Sequence, residues 1–235
     1  MKERLIIIMF FLSPAIILAQ ENRFAGIPSD DVIRDYMTDA KEYAALFLGK
    51  VEIPYDKRFT NHPYFETNMF QSGTLGYNHV VYKDVMMRFD LFRNELTVFS
   101  SDKPYYIVLN NEKFDFAILN GSTILLLDNK KESSKQFLVL LQNGKYPVLK
   151  KFIMDVSDEI SGMQVINYFR IKSQYVIYKD GIPYSVKNKN SILKLFPDKR
   201  KELDAFAKQH KLDFKRQIDQ SIIALVNHYE NLTNQ

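Results

Sequence analysis

The stretch YVIYKDGIPYSV, from Tyr175 to Val186, indicates the fold more directly than any other part of the chain. Two runs rich in aromatic and β-branched residues flank Asp180-Gly181, and Asp-Gly is a typical two-residue hairpin turn because both positions tolerate positive φ. So short a turn can join only antiparallel strands, since a parallel pair needs a crossover connection of a dozen or more residues. The stretch therefore predicts an antiparallel hairpin.

Short strands separated by turn residues extend backward from this hairpin to about Tyr64. Val85, Met87 and Phe89 alternate with more polar residues, which is the period of a half-buried strand. The linkers, such as Asn120-Gly121, are too short to hold crossover helices, so the whole sheet is predicted to be antiparallel. Further strands are predicted from Leu96 to Phe99, Tyr105 to Leu109, Phe114 to Leu119, Ile124 to Leu127, Gln136 to Leu141 and Val148 to Phe152.

A helix is predicted before the sheet. Ser29 can cap it, and Asp30-Asp31 suits the positive end of the helix dipole. Gly49 is a natural stop. The apolar stripe of this helix consists of Val32, Ile33, Tyr36, Met37, Ala40, Tyr43, Ala44 and Phe47.

Three helices are predicted after the sheet. Ser191 can cap the first, and Pro197-Asp198 begins a second that runs to about His210. Asp213 can cap the last, whose apolar side is expected to pack on the sheet. That side consists of Phe214, Ile218, Ile222, Leu225, Val226 and Tyr229.

These elements predict an α+β fold, with an N-terminal helix, an antiparallel sheet of about eight to ten strands curled into a β sandwich or open barrel, and C-terminal helices packed against it. The predicted organisation is a signal peptide at 1–19, an N-terminal helical segment at 20–60, an antiparallel β region at 61–188 and a C-terminal helical region at 189–235.

The first residues have the layout of a secretory leader. Lys2 and Arg4 precede an apolar run from Leu5 to Ala19, and Ala19 offers a small residue at the cleavage point. The run is shorter than the roughly 20 apolar residues of a spanning helix, so cleavage is favoured over a retained anchor. We therefore expect an extracytoplasmic protein, periplasmic or secreted, with no transmembrane segment once the leader is removed.

Composition excludes several classes of function. The 235 residues include no cysteine, which removes disulfides, thiol nucleophiles and thiolate metal sites. The net charge of +4 is mild for a nucleic-acid-binding protein. The densest basic stretch, from Lys187 to Lys201, is interpreted as a solvated helix face. No nucleic-acid partner is expected.

The four histidines form no local metal pair, and HExxH is absent. His62 and His79 could meet only through the fold, whereas His210 and His228 lie near predicted helix ends, where capping is the simpler interpretation. His62, in a loop before Pro63, is the residue most expected to take part if the protein were a hydrolase.

Carboxylates and serines carry no specific signal. Asp155, Asp158 and Glu159 are predicted to form an acidic loop between strands, and a calcium site there is a weaker alternative because the ligand periodicity of a calcium loop is missing. GxSxG and a glycine-rich phosphate loop are both absent. No catalytic, cofactor-binding or metal residue is therefore assigned.

Aromatic content is high, with 14 Tyr and 18 Phe and no Trp. The rings could form a sugar-stacking platform, but the favoured interpretation is that they pack in and against the sheet. The tyrosines considered for such a platform are Tyr105, Tyr106, Tyr175, Tyr178 and Tyr184.

Several short blocks occur in a fixed order: Leu46-Phe47-Leu48-Gly49-Lys50, His62-Pro63-Tyr64-Phe65, Gly73-Thr74-Leu75, Tyr82-Lys83-Asp84-Val85 and Arg88-Phe89-Asp90-Leu91. This order is similar to a family of uncharacterised secreted proteins from Bacteroidota, and the C-terminal segments through Tyr229 resemble that family as well. Phe89 stands where the family is expected to have tyrosine, and Tyr64 where phenylalanine is usual. The resemblance implies secretion and the same fold, and it implies no activity, cofactor or site residue.

The favoured function is a non-catalytic binding or structural protein of the cell envelope, with a protein or glycan as partner. The alternatives are a hydrolase of envelope or extracellular polymer, assembled only in the fold, and a peripheral membrane protein that uses its last helix as an amphipathic anchor. A cleft in which His62 meets an acid would favour the hydrolase. A bare apolar side on the last helix would favour the membrane protein.

Overall fold

A computed structural model describes residue 46 and residues 48–99, 105–129, 134–162 and 164–233. Within these ranges an antiparallel β-sheet is followed by helices. The strands are β1 Lys50–Val51, β2 Gln71–Tyr77, β3 Val80–Asp90, β4 Glu95–Phe99, β5 Ile107–Val108, β6 Phe114–Leu119, β7 Ser122–Asn129, β8 Ser134–Gln142, β9 Val148–Ser161, β10 Gln164–Lys179 and β11 Ile182–Val186. The helices are α1 Lys189–Leu195, α2 Arg200–Gln209 and α3 Ile218–Thr233, with 3-10 turns at Asn111–Lys113 and Pro197–Lys199.

The strands form one sheet in the order β1-β5-β4-β3-β2-β6-β7-β8-β9-β10-β11, and every neighbouring pair is antiparallel. From β6 onward, each strand pairs with the next one along the chain. The sheet is not closed, because β1 and β11 are its two ends. The predicted α+β class and the antiparallel pairing are confirmed.

The sheet bends strongly. Phe89 on β3 and Phe137 on β8 are four strands apart in the sheet order, yet their ring centroids are 4.9 Å apart. A flat sheet would separate them by about 19 Å, since neighbouring strands lie about 4.8 Å apart. The face that carries these two rings, which we call the inner face, therefore folds over on itself and fills its own interior with side chains.

The C-terminal helices cover the inner face near β9, β10 and β11. Ile222, Leu225 and Val226 of α3 are 0% exposed and pack with Val148 and Ile177 of the sheet. The expected packing of the last helix on the sheet is therefore confirmed. In the described ranges, no helix has both the length and the apolar character needed to cross a membrane.

Asp219 anchors the first turn of α3 to the sheet. Its carboxylate accepts hydrogen bonds from the Lys150 ammonium at 2.8 Å and from the Tyr175 hydroxyl. Burial, and next the hydrogen bond to Asp219, raise the pKa of Tyr175 above its ordinary value of 10. The Tyr175 hydroxyl therefore stays protonated and donates its hydrogen bond to Asp219.

Two predicted helix caps differ in the structure. Asn188, not Ser191, caps α1. Ser191 lies at the third helical position, where its Oγ accepts a hydrogen bond from the Asn188 N–H. This is a capping box, in which both residues satisfy free N–H groups. Asp213 accepts from the backbone of Lys215 and Arg216 in a turn before α3, so that helix begins later than predicted.

Several strands differ from the prediction. β2, Gln71–Tyr77, was not predicted as a strand, and β10 begins at Gln164 instead of Tyr175. β9 continues past Phe152 to Ser161, so the predicted acidic loop at Asp155, Asp158 and Glu159 is wrong. The strand continues because apolar Met154, Val156 and Ile160 still recur at even spacing, a period that the intervening carboxylates obscured.

Part of the N-terminal organisation lies outside the described residues. This holds for the predicted leader at 1–19 and for all of the predicted helix except Leu46, which is fully buried in the inner-face core. The described residues 48–60, which were included in the helical segment 20–60, contain β1 and turns instead of a helix.

Candidate functional site: the cleft between β8 and β9

Strands β8 and β9 separate partway along their length. They pair from Leu138↔Lys151 to Gln142↔Val148, and beyond Lys151 strand β9 pairs only with β10. Residues 152–161 of β9 and 164–173 of β10 therefore form a two-stranded extension, which we call the ribbon. The separation leaves an opening between the first residues of β8 and the ribbon.

The turn between β3 and β4, residues 91–94, is inserted into this opening. The side-chain amide of Asn94 donates to the Lys135 carbonyl at 2.8 Å and accepts from the Phe137 N–H at 3.0 Å. Asn94 has φ of 56°, a left-handed conformation that asparagine tolerates better than most residues. It thus supplies the hydrogen bonds that β9 would otherwise give to β8.

The β8–β9 cleft that remains has a volume of about 420 Å³, within the range of small-molecule sites. Its lining combines aromatic rings and aliphatic groups with cationic side chains, and no described lining residue is an acid. The lining residues are Leu91, Phe92, Arg93, Asn94, Lys135, Gln136, Phe137, Lys151, Phe152, Ile153 and Met154.

Two of the cations are held in place by neighbours. The Arg93 guanidinium lies 3.9 Å from the Tyr55 ring centroid and donates to the Ile53 carbonyl. The Lys135 ammonium lies 2.5 Å from a carboxylate oxygen of Glu112, which is exposed. Glu112 therefore offsets part of the charge of Lys135 from outside the cleft, and Arg93 is held against the strap side of the cleft.

Residues 52–66, which we call the strap, run near the cleft between the end of β3 and the edge of β10. At one end, Leu91 N–H donates to the Pro63 carbonyl and Phe65 N–H donates to the Phe89 carbonyl, each at 2.9 Å. At the other end, residues 58–61 lie along β10, where Asn167 bridges Phe59 in parallel. The strap therefore connects the end of β3 to the edge of the ribbon.

Aromatic rings fill the space beneath the strap. Phe59 stacks on Phe169 of β10 at 4.4 Å between centroids. Tyr55 and Phe92 contact Phe169 at 5.1 and 5.3 Å. Because Phe92 also lines the β8–β9 cleft, this cluster supports one wall of the cleft from behind.

Asp90 fixes the turn that carries Phe92 and Arg93. It is almost fully buried, and its carboxylate accepts from the Tyr55 hydroxyl at 2.6 Å and from the N–H groups of Phe92 and Arg93. Burial, and then the bond to Asp90, raise the pKa of Tyr55 far above its ordinary value. Tyr55 is therefore a hydrogen-bond donor and cannot act as a base.

A buried ion pair joins the first residue of the strap to β3. Arg88 and Glu52 are 2.6 Å apart, with side chains 14% and 5% exposed. The rings of Tyr64 and Phe70 lie 4.0 and 4.4 Å from the guanidinium carbon. Burial mainly raises the pKa of Tyr64 to about 12, and its hydroxyl lies 3.2 Å from Glu52. This pair was not predicted, because its members lie 36 residues apart along the chain.

His62 does not meet an acid. Its Nδ1 is buried without a hydrogen-bond partner, and its ring stacks near Tyr64 at 6.1 Å. Among the described residues, no hydrogen bond or ion pair joins His62 to a carboxylate. His62 lies between the two attachments of the strap, at Asn61 and Pro63, which indicates a structural position.

The other histidines lie elsewhere. His79 is exposed beside Asp115 at 3.4 Å. His210 follows the last residue of α2, as the capping interpretation expects, whereas His228 lies within α3 and stacks on Phe206 at 3.9 Å. In the part of the chain that the structure describes, no group of three or more His, Asp or Glu could hold a metal ion.

The acidic residues of β9 do not form a calcium loop. Within a strand, successive side chains point to opposite faces, so Asp155 and Glu159 lie on one face and Asp158 on the other. Asp155 lies 3.4 Å from Arg170 and 3.8 Å from Lys172 on β10. The three carboxylates do not converge on one point, so the geometry gives no support to the calcium-loop alternative.

The tyrosines proposed as a sugar platform are dispersed. Tyr175 and Tyr178 are buried, which supports the core interpretation for both. Tyr105, Tyr106 and Tyr184 are partly exposed, but the first two precede β5 and the third lies on β11, near opposite ends of the sheet. These rings form no common surface.

No protein-family model, curated protein or solved structure matches the chain. The comparisons therefore assign no family and no function. The β8–β9 cleft and the ribbon remain as the features that indicate one.

Proposed function

We propose that the chain is a non-catalytic binding protein whose β8–β9 cleft holds a small ligand with an apolar body and an acidic group. The observation that carries this proposal is the lining of the cleft. Phe92 and Phe152 offer apolar surface, and the cations Lys135 and Lys151 lie on the two strands that border the cleft. Charge-assisted hydrogen bonds to such cations favour a carboxylate, sulfonate or phosphate.

The chemistry beside the cleft supports binding over hydrolysis. The nearby acid Asp90 is committed to three hydrogen bonds, and the raised pKa of Tyr55 keeps its proton in place. His62, the residue favoured for a hydrolase, has no carboxylate partner in the described ranges. General acid–base catalysis needs a positioned group that can exchange a proton with the substrate.

The architecture proposed for this protein is an open barrel, supported by the bend that brings Phe89 to Phe137. The proposed location is extracytoplasmic after cleavage near Ala19, supported by the leader pattern of Lys2, Arg4 and the apolar run that follows. A protein or glycan partner at the envelope and the resemblance to secreted Bacteroidota proteins are parts of the same proposal. The buried apolar side of α3 does not support the membrane-anchor alternative.

The proposal is tested with 1-anilinonaphthalene-8-sulfonate, an apolar ring system that carries one sulfonate. We expect saturable fluorescence enhancement, displaced by dodecanoate and much less by dodecanol, because only the former carries the charge. The double variant Lys135→Glu/Lys151→Glu should weaken the affinity about tenfold, or about 1.4 kcal/mol. The control Lys201→Glu, an exposed lysine of α2, should leave the affinity unchanged.

Thermal unfolding of each variant checks that the fold is retained. Equal affinity in the cleft variant and in the control would place the probe elsewhere and refute the cleft as the ligand site. If dodecanol displaced the probe as effectively as dodecanoate, the proposal that the ligand carries an acidic group would be refuted.

A further inference from the structure

The outer edge of the ribbon on the β9 side is unpaired. Residues 152–161 form backbone pairs with β10 only, and no other described segment pairs with them. A long strand edge exposes N–H and C=O groups that can pair with another chain. This edge begins at the β8–β9 cleft and runs to the tip of the hairpin.

The opposite edge of the same ribbon already accepts an extended segment. Strap residues 58–61 lie along β10, with Asn167 N–H donating to the Arg58 carbonyl and Thr60 N–H donating to the Asn167 carbonyl, each at 3.0 Å. The β10 edge of the ribbon therefore already forms one parallel bridge with an extended segment. The β9 side has no such segment in the described part of the chain.

The negative charge of the β9 edge indicates which kind of strand would pair with it. Residues 152–161 contain Asp155, Asp158 and Glu159 and no lysine or arginine. Asp155 is already paired with Arg170 and Lys172 of β10, whereas Asp158 and Glu159 form no ion pair within the described part of the chain. If two copies paired through this edge around Ser157, Asp155 of one copy would lie opposite Glu159 of the other. Like charges directly opposite each other destabilise a strand pair, whereas a basic strand is complementary.

Apolar side chains on the inner face of the ribbon would contact alternate residues of an added strand. Val156 and Ile160 of β9 are 40% and 74% exposed, and Val165, which pairs with Ile160 across the ribbon, is 46% exposed. An edge that combines free backbone groups, carboxylates and alternate apolar residues is typical of strand-addition sites.

We propose that residues 153–161 of β9 bind an extended, basic polypeptide segment as an added strand, with lysine or arginine facing Glu159 and apolar residues facing Val156 and Ile160. This goes beyond the small ligand of the β8–β9 cleft. The strand-addition proposal depends on the ribbon edge and not on the β8–β9 cleft, so either proposal can fail without the other.

The test uses the full chain and a fluorescein-labelled alternating Lys–Val peptide of about eight residues, long enough to cover the edge. Fluorescence anisotropy should show saturable binding, and hydrogen–deuterium exchange should show new protection at 153–161. The same peptide N-methylated at alternate residues has equal charge but cannot form the ladder, and it should not bind. An alternating Glu–Val peptide should not bind either.

Glu159→Lys should weaken the binding of the Lys–Val peptide about tenfold. The matched control Glu202→Lys on α2 should leave the affinity for this peptide unchanged. Equal binding of the N-methylated peptide would show charge attraction without strand addition and overturn the proposal. If the amides of 153–161 that point away from β10 are protected before any peptide is added, another part of the chain or a second copy already occupies the edge, and this would also overturn the proposal.

Discussion

The side-chain amide of Asn61 forms both hydrogen bonds of a β-pair with the backbone of Phe169. Its Nδ2 donates to the Phe169 carbonyl, and its Oδ1 accepts from the Phe169 N–H, both at 2.8 Å. Asn94 makes the equivalent pair of bonds to Lys135 and Phe137 of β8. Two asparagines thus complete strand edges at places where no strand is available.

Asn61→Ala should release the strap from the ribbon. It removes two hydrogen bonds and leaves the Phe169 backbone groups unpaired, so we expect a loss of about 1–3 kcal/mol in the free energy of unfolding. Urea denaturation measures this loss, and hydrogen exchange should show faster exchange at the Phe169 amide.

Thr60→Ala is the matched control on the same strap. The Thr60 hydroxyl is exposed and makes only a long contact of 3.4 Å to Asn167, so its removal should cost less than about 0.5 kcal/mol. Equal destabilisation by the two variants would show that the Asn61 clamp has no special role.

The Arg88–Glu52 pair should behave as a coupled buried unit. Arg88→Met leaves the Glu52 carboxylate buried without its cation, which should cost about 3–5 kcal/mol. The double variant Arg88→Met/Glu52→Gln removes both charges and should be more stable than the sum of the single losses by about 1–3 kcal/mol. Urea denaturation of the three variants gives the coupling energy, and strictly additive losses would contradict the pairing.

Stability should fall at alkaline pH. Burial raises the pKa of Tyr64 from 10 to about 12, so the folded state favours the protonated phenol. This contribution is fully present below pH 10, the unfolded value, and is lost as the pH rises from about 10 toward 12. Urea denaturation between pH 8 and 11 should show the fall, and Tyr64→Phe should make it shallower. An unchanged slope in that variant would exclude Tyr64 as a source.

The acidic residues of β9 should keep two copies apart. Asp155→Asn/Glu159→Gln removes the charges that would oppose each other in an edge-to-edge pair, so we expect stronger self-association than in the unmodified chain. Sedimentation velocity over a range of concentrations measures it. If this variant and a Glu202→Gln control self-associate equally, the charges on β9 do not govern pairing.

Local patterns predicted the elements whose signals are contained in a few residues. The hairpin at Asp180-Gly181 has positive φ at both positions, as the turn chemistry requires. Strand β6, Phe114–Leu119, has the predicted bounds. The apolar side of α3 is buried as its spacing indicated. In each case the neighbours along the chain supply the physical constraint.

The candidate site was not predicted, because its residues come from separate elements. Phe92, Lys135 and Met154 lie on a turn and two strands, and each reads locally as an ordinary turn or strand residue. The strap was missed for the same reason, since Asn61 and Phe169 lie 108 residues apart along the chain. Local periodicity carries no information about contacts between residues so far apart along the chain.

The sequence by itself determined that this protein is an antiparallel sheet followed by helices, because short linkers and period-two alternation restrict neighbouring segments to hairpins. The tertiary structure alone decided where β8 and β9 separate, how the strap bridges β3 to the ribbon, and which strand edge stays unpaired. Those outcomes depend on the competition of many distant segments for the same backbone groups, and that competition is settled only when the whole chain packs.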